Sequence, residues 1–256
     1  MSAELHYTDT GGSGEAVVLV HAIGCDSHMW DALEAALAPA HRIVRVDLRG
    51  HGASPVVAGP CSLEDLAGDV ADVLHRLRLP RAHWVGLSLG GMLGLAFALA
   101  HPQRLGRLVL ANTTAGYGPE GRALWQARAR AVEDGGMKAI VDLAMERYFS
   151  AEFRARQVER VASVAARFLM TPPQGYIAAC AAIADLDYAD RLGAIRAPTL
   201  VIAGGADVAT PAAMSESLAR GIGDARLAVI PGVAHLSAVE DPAAFNALVS
   251  GFLSAQ

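Results

Sequence analysis

A serine hydroxyl attacks an acyl carbon only when a base takes its proton, and the base works best when an acid orients it. One serine in this chain stands in a setting that asks for both. Ser88 is the centre of G-L-S-L-G, residues 86–90. Ala82 to Leu87, just before it, is short and apolar, with a β-branched and an aromatic residue, and predicts a buried strand. From Gly90 onward the chain is rich in Leu, Ala and Met and predicts a buried helix. G-x-S-x-G between a strand and a helix is the pattern of a strained turn that presents the hydroxyl at the carboxyl edge of a sheet. Gly86 and Gly90 are wanted there because a Cβ would collide with close backbone. The free N–H groups of the helix N-terminus lie beneath the hydroxyl. Taken alone, the same pattern also fits a serine that caps a helix.

The partners come from the rest of the chain. Of nine histidines, only His101 and His235 follow Ser88. His101 sits at the far end of the helix that begins at Ser88, on the order of 20 Å away at helical rise. His235 sits in P-G-V-A-H-L-S, a loop right after a predicted strand and therefore at the edge where Ser88 is. For the acid, Asp207 in A-G-G-A-D-V-A-T-P follows another predicted strand at that edge. Asp185, Asp187 and Asp190 precede that strand, and Asp224 precedes the next one. Asp241 reads as a helix cap. The order serine, acid, histidine is the one this architecture requires. Acyl chemistry also needs donors for the developing oxyanion. The backbone N–H of Leu89, directly after the nucleophile, is one. The loop H-A-I-G at 21–24, after an early strand, offers the Ile23 N–H as the other.

These loops need a sheet to hold them. Strands are expected at 3–8, 16–20, 42–46, 82–87, 107–112, 199–203 and 226–230. Helices are expected at 28–38, 62–78 (Ser62 and Asp65 forming a capping box), from 90 onward, at 211–220 and at 242–253. Alternating strands and helices imply crossovers and a mostly parallel sheet flanked by helices, an α/β fold. The rhythm breaks at 113–191, which is helical in composition and punctuated by Gly135-Gly136 and Pro172-Pro173. The expected organisation is a core of 1–112 and 192–256 with an inserted helical cap at 113–191.

Composition narrows the function classes. Hydrophobic residues make up 53% and charged residues 18% of the 256, enough for a large core. The net charge is −5 with no basic stripe, which speaks against a nucleic-acid partner. Three well-separated cysteines form no C-x-x-C, so neither a disulfide framework nor a zinc site is expected. The start of the chain lacks a signal-peptide pattern, and the longest apolar run, Gly91 to Ala100, is too short to span a membrane. A soluble cytoplasmic protein is expected, with no membrane partner. No H-E-x-x-H, G-x-x-x-x-G-K or G-x-G-x-x-G after a strand occurs, so no metal or cofactor is expected.

With these residues in place the chain resembles the α/β-hydrolase superfamily, whose D-x-R-G-x-G-x-S segment is similar to D-L-R-G-H-G-A-S at 47–54. Within it the chain looks like the 3-oxoadipate enol-lactonases. T-P-P-Q-G-Y at 171–176, A-C-A-A-I at 179–183, A-P-T-L-V-I-A-G at 197–204, D-x-x-T-P at 207–211 and A-H-L-S-A-V-E at 234–240 carry that resemblance, as does Trp125–Arg128 followed by G-G-M at 135–137. It implies Ser88, Asp207 and His235 as a triad, opening an enol-lactone ring in aromatic catabolism. The chain departs from the pattern at H-A-I-G, where an Asn-Ser-Leu-Gly-like loop is expected, and at Ala238, where Asn is expected. The implied substrate is a small acidic lactone or ester whose carboxylate needs a cation. Arg128 beside Trp125 is the expected subsite, with Arg130 and Arg147 as other choices. A general carboxylesterase, another lactonase or a cofactor-free perhydrolase would use the same triad. A ligand receptor on a hydrolase scaffold is the non-enzymatic alternative.

Overall fold

The computed structural model describes residues 3–255, so positions 1, 2 and 256 of the expected core lie outside the described residues. In chain order the elements are β1 (Tyr7–Asp9), β2 (Ala16–Val20), α1 (Asp31–Leu37), β3 (Arg42–Val46), α2 (Leu63–Arg76), β4 (Ala82–Leu87), α3 (Leu89–Ala100) and β5 (Leu105–Ala111). Then come α4 (Pro119–Gly135), α5 (Val141–Tyr148), α6 (Ala151–Arg156), α7 (Val158–Met170) and α8 (Pro173–Ala184). The chain closes with β6 (Thr199–Gly204), α9 (Ala212–Gly221), β7 (Ala225–Ile230), α10 (Ser237–Glu240) and α11 (Pro242–Ser254).

The sheet runs β1-β3-β2-β4-β5-β6-β7. Only β1 is antiparallel to its neighbour; the other pairings are parallel. Strands covered on both faces read as unbroken apolar runs. Every residue of A-V-V-L-V in β2, A-H-W-V-G-L in β4 and T-L-V-I-A-G in β6 is buried. The register aligns Val20 with Gly86, Leu87 with Ala111, Ala111 with Ile202 and Gly204 with Ile230. Five carboxyl ends therefore lie side by side. The loops leaving them begin with His21, Ser88 and Asn112 and reach Asp207 and His235. Open parallel sheets bind ligands at this edge.

Two expectations shift. The strand expected at 3–8 is Tyr7–Asp9, because Ala3 N–H donates 2.8 Å to the buried Asp69 carboxylate and leads the chain across α2 instead of along β3. The helix expected at 28–38 is a 3₁₀ turn, Ser27–Trp30, followed by α1. Asp26 caps that turn by accepting from His28 N. The capping box is present, with Ser62 and Asp65 exchanging hydrogen bonds, and Asp241 caps α11 by accepting from Ala244 N at 3.0 Å.

The D-L-R-G loop has a structural task. Arg49 makes a bidentate pair with buried Asp69, at 2.6 and 2.7 Å. Asp47 accepts from Ser27 N at 2.7 Å and Ala53 N at 2.9 Å. Residues 113–191 hold α4 to α8 and, among the described residues, no strand. The base of this lobe is drawn together by an antiparallel bridge, Gly116 to Asp187, and by Tyr188 N donating to Ala115 O at 2.7 Å. Among the described residues no helix is long and apolar enough to cross a membrane.

Candidate active site

Ser88 sits at the junction of β4 and α3 with φ +56° and ψ −113°, a conformation a serine adopts only under constraint. The constraint comes from two glycines. A Cβ on Gly86 would lie 2.1 Å from the Gly90 carbonyl oxygen, and one on Gly90 would lie 2.0 Å from that of Val20. The Thr113 hydroxyl donates to the Ser88 carbonyl at 2.8 Å and holds the turn from the β5 side.

The three residues expected to act together meet. Ser88 Oγ is 2.9 Å from His235 Nε2, and His235 Nδ1 is 2.8 Å from Asp207 Oδ2. All three are buried. An ionised carboxylate only accepts, so Nδ1 carries the proton and Nε2 faces the serine with a free lone pair. Burial by itself would raise the Asp207 carboxyl. The charge of His235 and hydrogen bonds from His235, Asn112 and the Thr210 backbone outweigh it and hold the group well below the usual carboxylate range. Its other oxygen accepts from Ala209 N at 2.7 Å and Thr210 N at 3.0 Å.

The two backbone N–H groups expected to serve an oxyanion, those of Ile23 and Leu89, are both without an acceptor in the chain among the described residues. The Ala22–Ile23 peptide that carries the first of them is fixed at its carbonyl. That oxygen accepts from His21 Nδ1 at 2.7 Å and from Cys25 N at 3.1 Å. Burial pushes the His21 imidazole below its ordinary value, and Leu48 N donates to its Nε2 at 2.9 Å, which assigns the Nδ1–H tautomer.

A cavity of 580 Å³ opens over Ser88 and His235. Trp125 and Arg128 of α4 line it, together with Tyr117, Met214, Tyr148 and Arg147. The Arg128 guanidinium lies 5.6 Å from the Trp125 ring centroid and 5.6 Å from that of Tyr176. Its Nε and Nη2 are buried without a hydrogen-bond partner among the described residues. Arg130 is exposed and does not line the cavity. Among the described residues no Asp or Glu lines it. Ala238 is buried in α10 and does not reach it, so that departure from the enol-lactonase pattern lies outside the cavity wall.

Several residues around the site escaped sequence reasoning. Asn112, at φ +46° after β5, bonds to Asp207. Thr210 donates to Asp207 Oδ2 at 2.7 Å, and Tyr148 reaches in from α5. Thr210 had a local signal, since a hydroxyl residue three positions after an Asp completes a turn that the carboxylate itself closes. The arrangement as a whole gathers a serine hydroxyl, an imidazole with an oriented tautomer and a guanidinium around one cavity, a set that can carry acyl transfer.

Residues 15–242 match the family model described as alpha/beta hydrolase fold. The chain is 35% identical over 238 residues to 3-oxoadipate enol-lactonase 1 of Acinetobacter baylyi, covering 93% of this chain and 88% of that protein. It is also 35% identical over 256 residues to the Variovorax paradoxus protein named "Putative carbamate hydrolase RutD", covering 98% and 96%. Among solved structures, the enol-lactonase from Burkholderia xenovorans LB400 superposes with a TM-score of 0.94 at 36% identity, covering 99% of this chain and 97% of that one. With this fold and these relatives, the chain belongs to the alpha/beta hydrolase fold family and is an ester- or lactone-hydrolysing enzyme.

Proposed function

We propose that this enzyme opens the ring of 3-oxoadipate enol-lactone, giving 3-oxoadipate, through an acyl-enzyme on Ser88. His235 takes the Ser88 proton as the hydroxyl attacks the lactone carbonyl, and Asp207 steadies the resulting imidazolium. Ile23 and Leu89 N–H groups bind the oxyanion; losing one such donor typically costs about 10²–10³-fold in rate. The carbonyl–oxygen bond of the ring breaks, and the enol oxygen leaves with the proton from His235. Water, deprotonated by the same imidazole, then releases the acid and restores Ser88, and the freed enol tautomerises to the ketone of 3-oxoadipate.

The observation that carries this reading is the charge of the cavity. Arg128 and Arg147 line the space over Ser88, no carboxylate does, and neither arginine has an ion-pair partner among the described residues. Leaving Nε and Nη2 of Arg128 buried without an acceptor is costly, and a substrate carboxylate relieves that cost. The enol-lactonase relatives support the same substrate. In this reading the enzyme works in the cytoplasm, in the breakdown of aromatic compounds, with a small acidic lactone as its partner. A second reading turns the same serine on a carbamate, and the RutD relative supports it.

Steady-state hydrolysis of the enol-lactone, p-nitrophenyl acetate, a neutral γ-lactone and a simple carbamate separates these readings. A kcat/KM above about 10⁴ M⁻¹s⁻¹ for the acidic lactone, well above the others, is expected. Feeble turnover of that lactone beside good ester or carbamate hydrolysis would retain the triad and discard the substrate. Ser88→Ala is expected to abolish turnover of all four.

A further inference from the structure

The triad and both oxyanion donors belong to the core, yet one cap residue touches two parts of that machinery. Tyr148, the last residue of α5, is buried at 3% exposure. Its hydroxyl donates to the Ile23 carbonyl at 2.5 Å. Its ring stacks on the His235 imidazole, with centroids 5.9 Å apart and planes 24° from parallel. Its own carbonyl accepts from Leu236 N at 2.9 Å, one residue beyond His235. Burial pushes the phenol far above its ordinary value, so the hydroxyl is a standing donor.

The two ends of Ile23 are thereby held from opposite sides. His21 fixes the peptide before it from the core, through the Ala22 carbonyl, and Tyr148 fixes the peptide after it from the cap. The next residue, Gly24, is at φ +67°, and a Cβ there would lie 2.5 Å from the Phe168 ring of α7. Phe168 in turn packs edge-on against Tyr148, with centroids 6.1 Å apart. The oxyanion loop is seated in a socket that the cap provides.

We propose that Tyr148 is a positioning residue for catalysis, one that couples the seating of the cap to the geometry of the Ile23 donor and the His235 base. This rests on the reading above, in which Ile23 N–H binds the oxyanion and Ser88 is the nucleophile. The group acts on the transition state, where the donor distance matters most, and leaves the ground-state contacts of the substrate carboxylate alone. Loosening a donor forfeits part of what deleting it costs, so the expected loss is on the order of tenfold in kcat.

The test is Tyr148→Phe, which removes the hydroxyl and retains the ring. For p-nitrophenyl acetate and the acidic lactone, kcat falls about tenfold and KM stays within about twofold. Affinity for an alkylboronic acid, whose adduct with Ser88 mimics the tetrahedral intermediate, falls by the same factor as kcat. Affinity for the dicarboxylate product does not change. 4-Aminophenylalanine at position 148 replaces the hydroxyl by a weaker donor and gives an intermediate kcat at unchanged KM. If the phenylalanine protein does not fold, the comparison of that variant with wild type stands in its place. Wild-type kcat and boronate affinity in the variant that folds, or a rise in KM alone, would overturn the proposal. Ser88→Ala is measured alongside. Turnover without Ser88 would remove the nucleophile reading itself, whereas a dead Ser88→Ala beside a fully active Tyr148→Phe would remove only the role of Tyr148.

Discussion

Asn112 Nδ2 donates at 2.9 Å to Asp207 Oδ2, the same oxygen that accepts from His235 Nδ1 at 2.8 Å. The same amide nitrogen is 3.2 Å from the Ala234 carbonyl, and its Oδ1 accepts from Ser237 Oγ at 2.5 Å. One buried side chain therefore joins the Asp207 loop, the His235 loop and α10. Its left-handed φ of +46° suits Asn better than most residues and aims the amide across the sheet edge.

Replacing this donor by a second carboxylate puts like charges together and raises the pKa of the pair. Asn112→Asp is expected to lower kcat/KM at pH 7 on the order of a hundredfold and to move the acid limb of the pH–rate profile upward. Asn112→Ala is expected to cost less, on the order of tenfold, with the limb in place. Equal losses with unmoved limbs would mean that the side chain only packs.

Arg128 offers a cleaner substrate test. A hydrogen-bonded charge pair contributes about 1.5–3 kcal/mol. Arg128→Met is expected to lower kcat/KM for the acidic lactone by roughly 10–150-fold, within the range that energy converts to. Hydrolysis of p-nitrophenyl acetate, which carries no carboxylate, is expected to change by less than about threefold. A uniform loss on both substrates would make Arg128 a structural residue of the cap.

The elbow makes a prediction about folding. With the Val20 carbonyl oxygen 2.0 Å from where its Cβ would sit, Gly90→Ala forces β2 and α3 apart. The expected cost exceeds about 4 kcal/mol, among the largest for a single substitution. Urea unfolding, or the yield of soluble protein, reads it out. Gly223→Ala, where an added Cβ meets nothing within 4 Å, is the control and is expected to be nearly neutral.

Acid stability follows from buried histidines. Burial holds His51 down to about 3, and its neighbour His21, with ring centroids 5.3 Å away, pushes the same way. The folded pKa lies below the unfolded value of about 6.5, so the unfolded chain takes up the proton first as the pH drops. The stability that neutral His51 contributes is complete above about pH 6.5 and is lost progressively toward pH 3. From pH 7 to pH 5 the loss is about 2 kcal/mol, a fall of several degrees in Tm for a chain of this size. His51→Phe is expected to lower Tm at pH 7 and to flatten its dependence between pH 7 and 5. An unchanged slope would remove the assignment.

The legible part of this protein was what local backbone physics or strand order decides. Gly86 and Gly90 on either side of Ser88 announced a strained turn because a Cβ at either glycine would collide with nearby backbone. The stretch from Ala16 to Val20 announced a strand because it is a short apolar run preceded by the turn residues G-G-S-G. Asp207 and His235 were found because each follows a strand, and all such loops of a parallel sheet emerge at one edge. The carboxylate subsite stayed open between Arg128, Arg130 and Arg147. At 3.6 residues per turn, Arg128 and Arg130 point to nearly opposite faces of α4, and only the docking of that helix decides which faces the cavity. Asn112 and Tyr148 were silent for a related reason. Their partners Asp207 and Ile23 lie 95 and 125 residues away in the chain. Contacts at that separation leave no periodicity to read. They exist because sheet register and cap packing bring surfaces together that no stretch of sequence describes.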